Sequence, residues 1–176
     1  KPKPMSTHKV GIDLGLTHFV ITSNGEKYIP LKATMKYAQK LKKLQKRLSK
    51  KQHSKYKGDT TPKSNNYIKM QKKVAKVHTK IAFSRNDFLQ KLSTKLINEN
   101  QVICLENLNV VRMVKNRKLA KHISDASWSK FVSMLQYKAN WYDRTLSFVS
   151  TWFPSSQLCS NCGIIADKKP LNVRNW

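Results

Sequence analysis

Two short apolar runs, far apart in a chain of 176 residues, each carry one carboxylic acid. The first is Val10-Gly11-Ile12-Asp13-Leu14-Gly15 and the second is Val102-Ile103-Cys104-Leu105-Glu106. Short runs rich in β-branched residues read as strands. An acid within such a strand is costly unless it is paired, hydrogen-bonded or bound to a cation. If the two strands are neighbours, Asp13 and Glu106 form a pair of oxygen donors suited to Mg²⁺ or Mn²⁺. Two metals held by shared carboxylates can activate water and stabilise the leaving oxygen in phosphodiester cleavage. The plainer reading is that Asp13 caps a turn and Glu106 ends a strand.

The stretch between these runs is strongly basic. The chain holds 35 Lys and Arg against 9 Asp and Glu, a net charge of +26. No acid lies between Glu26 and Asp59, or between Asp59 and Asp87. Tyr37, Leu41, Leu44 and Leu48 recur at helical spacing and predict a helix over 36–51. Met70, Val74, Val77, Ile81, Phe88, Leu92 and Leu96 predict a longer one over 67–96, and 51–66, with Gly58 and Pro62, reads as a loop. A merely solvated helix face mixes charge signs for i,i+4 pairing, and these faces do not. Lys42, Lys43, Lys46, Arg47, Lys50, Lys72, Lys73 and Lys76 therefore read as contacts to a nucleic-acid backbone. Arg85 interrupts the apolar stripe of its helix, either as a phosphate contact or as the partner of Asp87 or Glu99. This balance excludes an acidic binding module. No apolar run of about 18 residues predicts a membrane span, and the start of the chain shows no signal-peptide pattern.

Residues 1–8 read as a linker. Strands at 10–15, 18–22 and 26–30, with Ser23-Asn24-Gly25 as the turn, predict an antiparallel meander. The nearly continuous apolar character of 101–106 predicts a strand covered on both faces, with Cys104 a buried thiol. Ser124-Asp125-Ala126-Ser127 can cap a helix starting near Trp128, and 146–151 alternates as a fifth strand. A meander opening on an acid, a helical excursion and a strand ending in an acid fit a ribonuclease-H-like α/β architecture. Such a site is usually completed by a third acid, and none is convincing: Asp167 sits in a polar loop, and Asp125 and Asp143 fall on or before helices. Cys159 and Cys162 form a C-x-x-C that suits either a metal knuckle or a redox pair. Its flanks, Pro-Ser-Ser before and Gly163 after, favour the first knuckle of a zinc ribbon, and structural Zn²⁺ wants four ligands.

Several of these segments resemble the TnpB (OrfB) family. Val10-Gly11-Ile12-Asp13-Leu14-Gly15-Leu16 is similar to its first RuvC motif, and Ile103-Cys104-Leu105-Glu106-Asn107-Leu108-Asn109 to its second. Residues 119–128 resemble its bridging segment, and 153–163 the start of its zinc ribbon. The resemblance runs from about Lys9 to Trp176. It implies a RuvC-like mixed sheet over 9–153, with a basic helical-hairpin insertion at 31–99 and a partial zinc ribbon over 154–176. It also implies the core of a transposon-encoded RNA-guided DNA endonuclease, with guide RNA and target DNA as partners, in the prokaryotic cytoplasm at the nucleoid. Asp13 and Glu106 would be its first two carboxylates, binding Mg²⁺ or Mn²⁺; Cys159 and Cys162 would bind Zn²⁺ once the ribbon is completed. The third carboxylate and second cysteine pair of the family do not occur before Trp176, so the chain is expected to be an incomplete, poorly active fragment. The alternative is a nuclease-deficient guide-RNA or DNA-binding protein, repressor-like in action. A basic ribosome-associated protein would explain the charge but not the two acids.

Overall fold

The computed structural model describes residues 4–51, 62–150, 153–154, 157–159 and 161–167. Ten elements follow one another: β1 (Lys9–Leu14), β2 (Val20–Thr22), β3 (Lys27–Tyr28), α1 (Ala33–Ser49), α2 (Asn65–Glu99), β4 (Val102–Glu106), α3 (Val110–Val114), α4 (Ala120–Ala126), α5 (Trp128–Tyr142) and β5 (Thr145–Val149). The strands form one mixed sheet in the order β3-β2-β1-β4-β5. The meander β1–β2–β3 is antiparallel, and β4 and β5 add in parallel on the other side of β1.

Local chemistry explains the elements. Gly25 adopts φ 87° in the hairpin after β2, a left-handed conformation that favours glycine. Gly15 is needed for another reason: a Cβ there would stand 2.9 Å from the backbone oxygen of His18, too close for any side chain. Ser64 opens α2 by accepting the Tyr67 backbone N–H at 3.2 Å, an N-cap bond. The long helix then serves two cores. Its first half zips onto α1 through Val77, Ile81 and Ala33, with Tyr37, Leu41 and Leu44 alongside. Its second half places Leu89, Leu92, Leu96 and Ile97 under the sheet beside Phe131 and Leu135 of α5. Phe19, just before β2, stacks edge-on against Phe88 and Phe131 at 5.2 and 5.1 Å, joining the meander to α2 and α5.

The sheet is covered on one face. Val10, Ile12 and Leu14 of β1 and Ile103 and Leu105 of β4 are buried against α2 and α5, while Asp13 and Glu106 are exposed. This corrects the expectation that β4 is covered on both faces. Cys104 points with the exposed set and is half-buried, so it is not a core thiol. A second correction concerns 124–127. Ser124, Asp125 and Ala126 belong to α4, and Ser127 takes φ 57° at the α4–α5 junction without a side-chain cap bond to α5. The short helix α3 has no counterpart among the elements expected from sequence, while the fifth strand lies at 145–149, close to its predicted place.

Residues 4–8, read as a linker, make specific bonds. Arg144, buried, donates to the carbonyls of Pro4 (3.0 Å) and Ile97 (3.2 Å) and to Gln101 Oε1 (2.6 Å), and Gln101 N–H donates to the His8 carbonyl. Most of the predicted 51–66 loop, with Gly58, lies outside the described residues, as do residues 1–3, Thr151, Trp152, Ser155, Ser156, Ser160 and the segment from Lys168 to Trp176. Among the described residues no helix is long and apolar enough to cross a membrane.

One buried cation sits in the main core. Lys138 of α5 is only 5% exposed and donates to Ser93 Oγ, Thr94 Oγ1 and the Gln90 carbonyl at 2.7, 2.8 and 3.0 Å. No carboxylate pairs with it among the described residues. Burial pushes its amine below the ordinary lysine value of 10.5. The unfolded chain therefore binds more protons between the two values, and stability rises as pH climbs toward that limit. The wild-type denaturation midpoint should gain more than that of Lys138→Met between neutral pH and about pH 10. Equal gains in the two proteins would refute the assignment.

Candidate functional site

The carboxylates predicted from sequence meet on the open face of the sheet. In the parallel β1–β4 ladder Gly11 pairs with Cys104 and Ile12 with Leu105, and the next position along the strands holds Asp13 and Glu106. Alternation sends both away from the helices. They line one cleft of about 460 Å³ together with Gly11, Cys104, Ser23 and Ser150. The cleft is built tightly at its β1–β2 side. Ser23 donates its backbone N–H to the Gly11 carbonyl at 2.8 Å, and its hydroxyl accepts the Gly11 N–H at 3.1 Å. Neither the Asp13 nor the Glu106 carboxylate has a hydrogen-bond or ion-pair partner among the described residues. Two unpaired anions side by side on neighbouring strands repel, and a cation between them removes that cost. The donor set fits two ligands of a hard, oxygen-preferring cation. Among the described residues no third His, Cys, Asp or Glu stands where it could share a metal ion with them.

The helical hairpin of α1 and α2 forms an arm that carries the cations singled out from sequence. Lys42, Lys43, Lys46 and Arg47 are exposed on α1 and Lys50 just past it, and Lys72, Lys73 and Lys76 are exposed on α2. None forms an ion pair among the described residues. Lys46 and Arg47 also occupy the last turn of α1, where the helix dipole favours cations.

Arg85 behaves differently. Its guanidinium pairs with Asp125 at 2.6 Å and donates to Thr34 Oγ1 at 3.0 Å. Neither acid named for it from sequence is its partner: Asp87 pairs with Lys91, and Glu99 lies near Lys95. Sequence reasoning missed Asp125 because the contact joins residues forty positions apart. Asp125 also accepts the Thr34 backbone N–H and its hydroxyl, at 3.1 and 2.6 Å. Lys32, the N-cap residue of α1, is left-handed and makes no side-chain cap bond, so Asp125 caps α1 from another helix.

The C-x-x-C segment is a tight turn. Cys159 N–H donates to the Ile164 carbonyl and Gly163 N–H to the Cys159 carbonyl, both at 3.0 Å, while Leu158 bridges Ile165. Gly163 takes φ 72° there. The turn places Cys159 and Cys162 at one tip, neither in a disulfide. Among the described residues no further His or Cys completes a four-ligand set with them.

With that geometry in view, the comparisons with known proteins decide the family. Residues 1–117 match OrfB_IS605, described as "Probable transposase". The chain belongs to this family. Residues 128–176 match a second family, "Cas12f1-like, TNB domain". A Streptomyces pristinaespiralis protein with the provisional name RNA-guided DNA endonuclease is 46% identical over 175 residues, covering 99% of this chain and 41% of the relative. The Escherichia coli protein InsQ, provisionally named the same way, is 28% identical over 186 residues, covering 97% of this chain and 44% of the relative. A Mycobacterium tuberculosis protein so named is 23% identical over 90% of this chain and 35% of its own length. The chain thus spans about two fifths of the length of these relatives.

Two outcomes are expected. In metal-free buffer, Asp13→Asn should stabilise the fold by up to about 1 kcal/mol by removing the like-charge pair, and Mn²⁺ should raise the wild-type Tm but not that of the variant. A Tm shift of equal size in both would show that the ion binds elsewhere. Asp125→Ala should cost about 2–3 kcal/mol, because the half-buried Arg85 loses its charged hydrogen-bond partner and α1 loses its cap. A denaturant midpoint near wild type would contradict this.

Proposed function

We propose that this chain is the nuclease core of an RNA-guided DNA endonuclease, built on a ribonuclease-H-like (RuvC) sheet. The observation that carries the reading is the shared cleft of Asp13 and Glu106, two unpartnered carboxylates at adjacent places on parallel strands. The strand order, with an antiparallel meander and two parallel additions, supports the fold assignment. The relatives' names support the activity.

Asp13 and Glu106 would hold Mg²⁺ or Mn²⁺. An ion bound there would acidify a water and offset charge on the scissile phosphodiester. The rest falls to the chain's own groups. Lys42, Lys43, Lys46, Arg47, Lys50, Lys72, Lys73 and Lys76 would hold the backbone of guide RNA or of its heteroduplex with target DNA. Such contacts read phosphate and helical shape, and base pairing selects sequence. Arg85 supports that surface indirectly, since Asp125 and Thr34 already occupy its guanidinium. Cys159 and Cys162 would supply one pair of ligands to a structural Zn²⁺.

The test is guided cleavage by the gene product containing this chain, with its flanking RNA and Mg²⁺. Glu106→Ala should lower cleavage about 100-fold or more, because the ion contributes several kcal/mol to the transition state, while guide and target binding persist. Cleavage that survives Glu106→Ala would overturn the reading. Guided binding by the wild type without any cleavage would instead identify a non-cleaving binding protein.

A further inference from the structure

The C-x-x-C hairpin carries half of a ligand set beside an uncovered apolar flank. Its backbone is closed by hydrogen bonds from Ala166 N–H to the Gln157 carbonyl at 2.9 Å, and from Cys159 N–H to the Ile164 carbonyl and Gly163 N–H to the Cys159 carbonyl, each at 3.0 Å. This fixed turn holds both thiols at one tip, Cys162 exposed and Cys159 half-buried, with neither in a disulfide. A C-x-x-C turn offers two sulfurs to one thiolate-preferring ion, and structural Zn²⁺ takes four donors in a tetrahedron. The remaining cysteine of the chain, Cys104, lies on β4 in the carboxylate cleft. Among the described residues no His, Cys, Asp or Glu stands where it could share an ion with the pair. Ile164 and Ile165 follow the turn directly, 66% and 62% exposed, and neither belongs to a core cluster. Single aliphatics on a surface are ordinary. Two in succession beside an unfinished ligand set are apolar area that a contact at the metal would take out of water.

We propose that Zn²⁺ joins two copies of this 176-residue chain, each giving Cys159 and Cys162, with Ile164 and Ile165 packed across the junction. This rests on the Zn²⁺ ligation proposed for the pair and deepens it by naming the source of the other two sulfurs. A second copy carries the same two thiols on the same fixed turn, so one two-fold axis through the ion completes the tetrahedron. The same axis sets the apolar flank of each copy against its equivalent, as a self-complementary interface requires. The thiols of both copies give their protons to the buffer as the Zn–S bonds form, and no electron moves. Each chain has a net charge of +26, so the copies repel, and the metal and the apolar contact hold them together. Salt screens that repulsion and strengthens the pair. A pair carries two basic arms, so a nucleic acid long enough to reach both is held bivalently.

The test uses the full chain under a phosphine reductant, stripped of metal by a chelator and then titrated with Zn²⁺ or Co²⁺. Light scattering after size exclusion should show a monomer without metal and a dimer with it, saturating at one ion for every two chains. Co²⁺ should give the charge-transfer intensity of four thiolates per ion, and excess chelator should restore the monomer. Cys162→Ser should abolish both signals, and Cys104→Ser should change neither. Ile164→Ser with Ile165→Ser should weaken the dimer at least about tenfold while thiolate ligation of Co²⁺ persists. Raised salt should tighten the wild-type dimer. Circular dichroism confirms that each variant is folded. The proposal is overturned if one ion binds per monomer with the signal of two thiolates, if the dimer persists in chelator, or if Cys162→Ser dimerises like the wild type. Saturation at one ion per monomer leaves the Zn²⁺ reading of the pair standing, whereas no uptake of either ion sinks both.

Discussion

The parallel pairing of β1 with β4 is the constraint from which the remaining arrangement follows, because side chains along a strand alternate with a period of two. The observed register puts Ile12 beside Leu105 and turns both toward the helices. The same register leaves Asp13 and Glu106 in the open cleft. A slip of one residue would drive a carboxylate under α2 and α5 and lift an isoleucine or leucine into water. Burial of the apolar set therefore aims the acids, with no specific bond to either carboxylate required. The cost is that two anions stand together without a counter-charge among the described residues, which is the arrangement a bound cation would relieve.

On the helical side, polar hubs add to the apolar core. Arg144 gathers the start of the chain, the end of α2 and the turn into β5. Asp125 gathers α1, α2 and α4. Each hub uses one ionised side chain whose bonds tie its own segment to at least two others. In a chain of net charge +26 the few acids are scarce, and Asp125 is committed to architecture. That division leaves Lys42, Lys43, Lys46, Arg47, Lys50, Lys72, Lys73 and Lys76 without an ion-pair partner among the described residues and open to an external polyanion.

Most of this is legible in the sequence, for reasons particular to the residues. The meander and the arm are readable because Ser23-Asn24-Gly25 and the leucines at 41, 44 and 48 are local signals. Asp13 and Glu106 stand out because an acid in an apolar run is anomalous. The one-sided burial of β4 is not readable: an apolar run has the same pattern whether one face is covered or two, and Cys104 is apolar enough to hide the alternation. The role of Asp125 is hidden because a Ser-Asp-Ala-Ser stretch before a helix suits a local cap equally well. Its real use, capping α1 from 91 positions away, is a tertiary fact.

The α1–α2 arm also bears on how the chain reaches this structure. Joining β1 to β4 brings together residues separated by most of the first hundred, and such long-range contacts slow folding through the entropy of closing the loop. The arm's own contacts, Val77 and Ile81 against Ala33 and Tyr37, are more local. Once the two helices have zipped, the span between the strands behaves as a short tether, and the search for the parallel partner is correspondingly reduced. The same segment that presents cations in the native protein thus acts during folding as a clasp that shortens the chain.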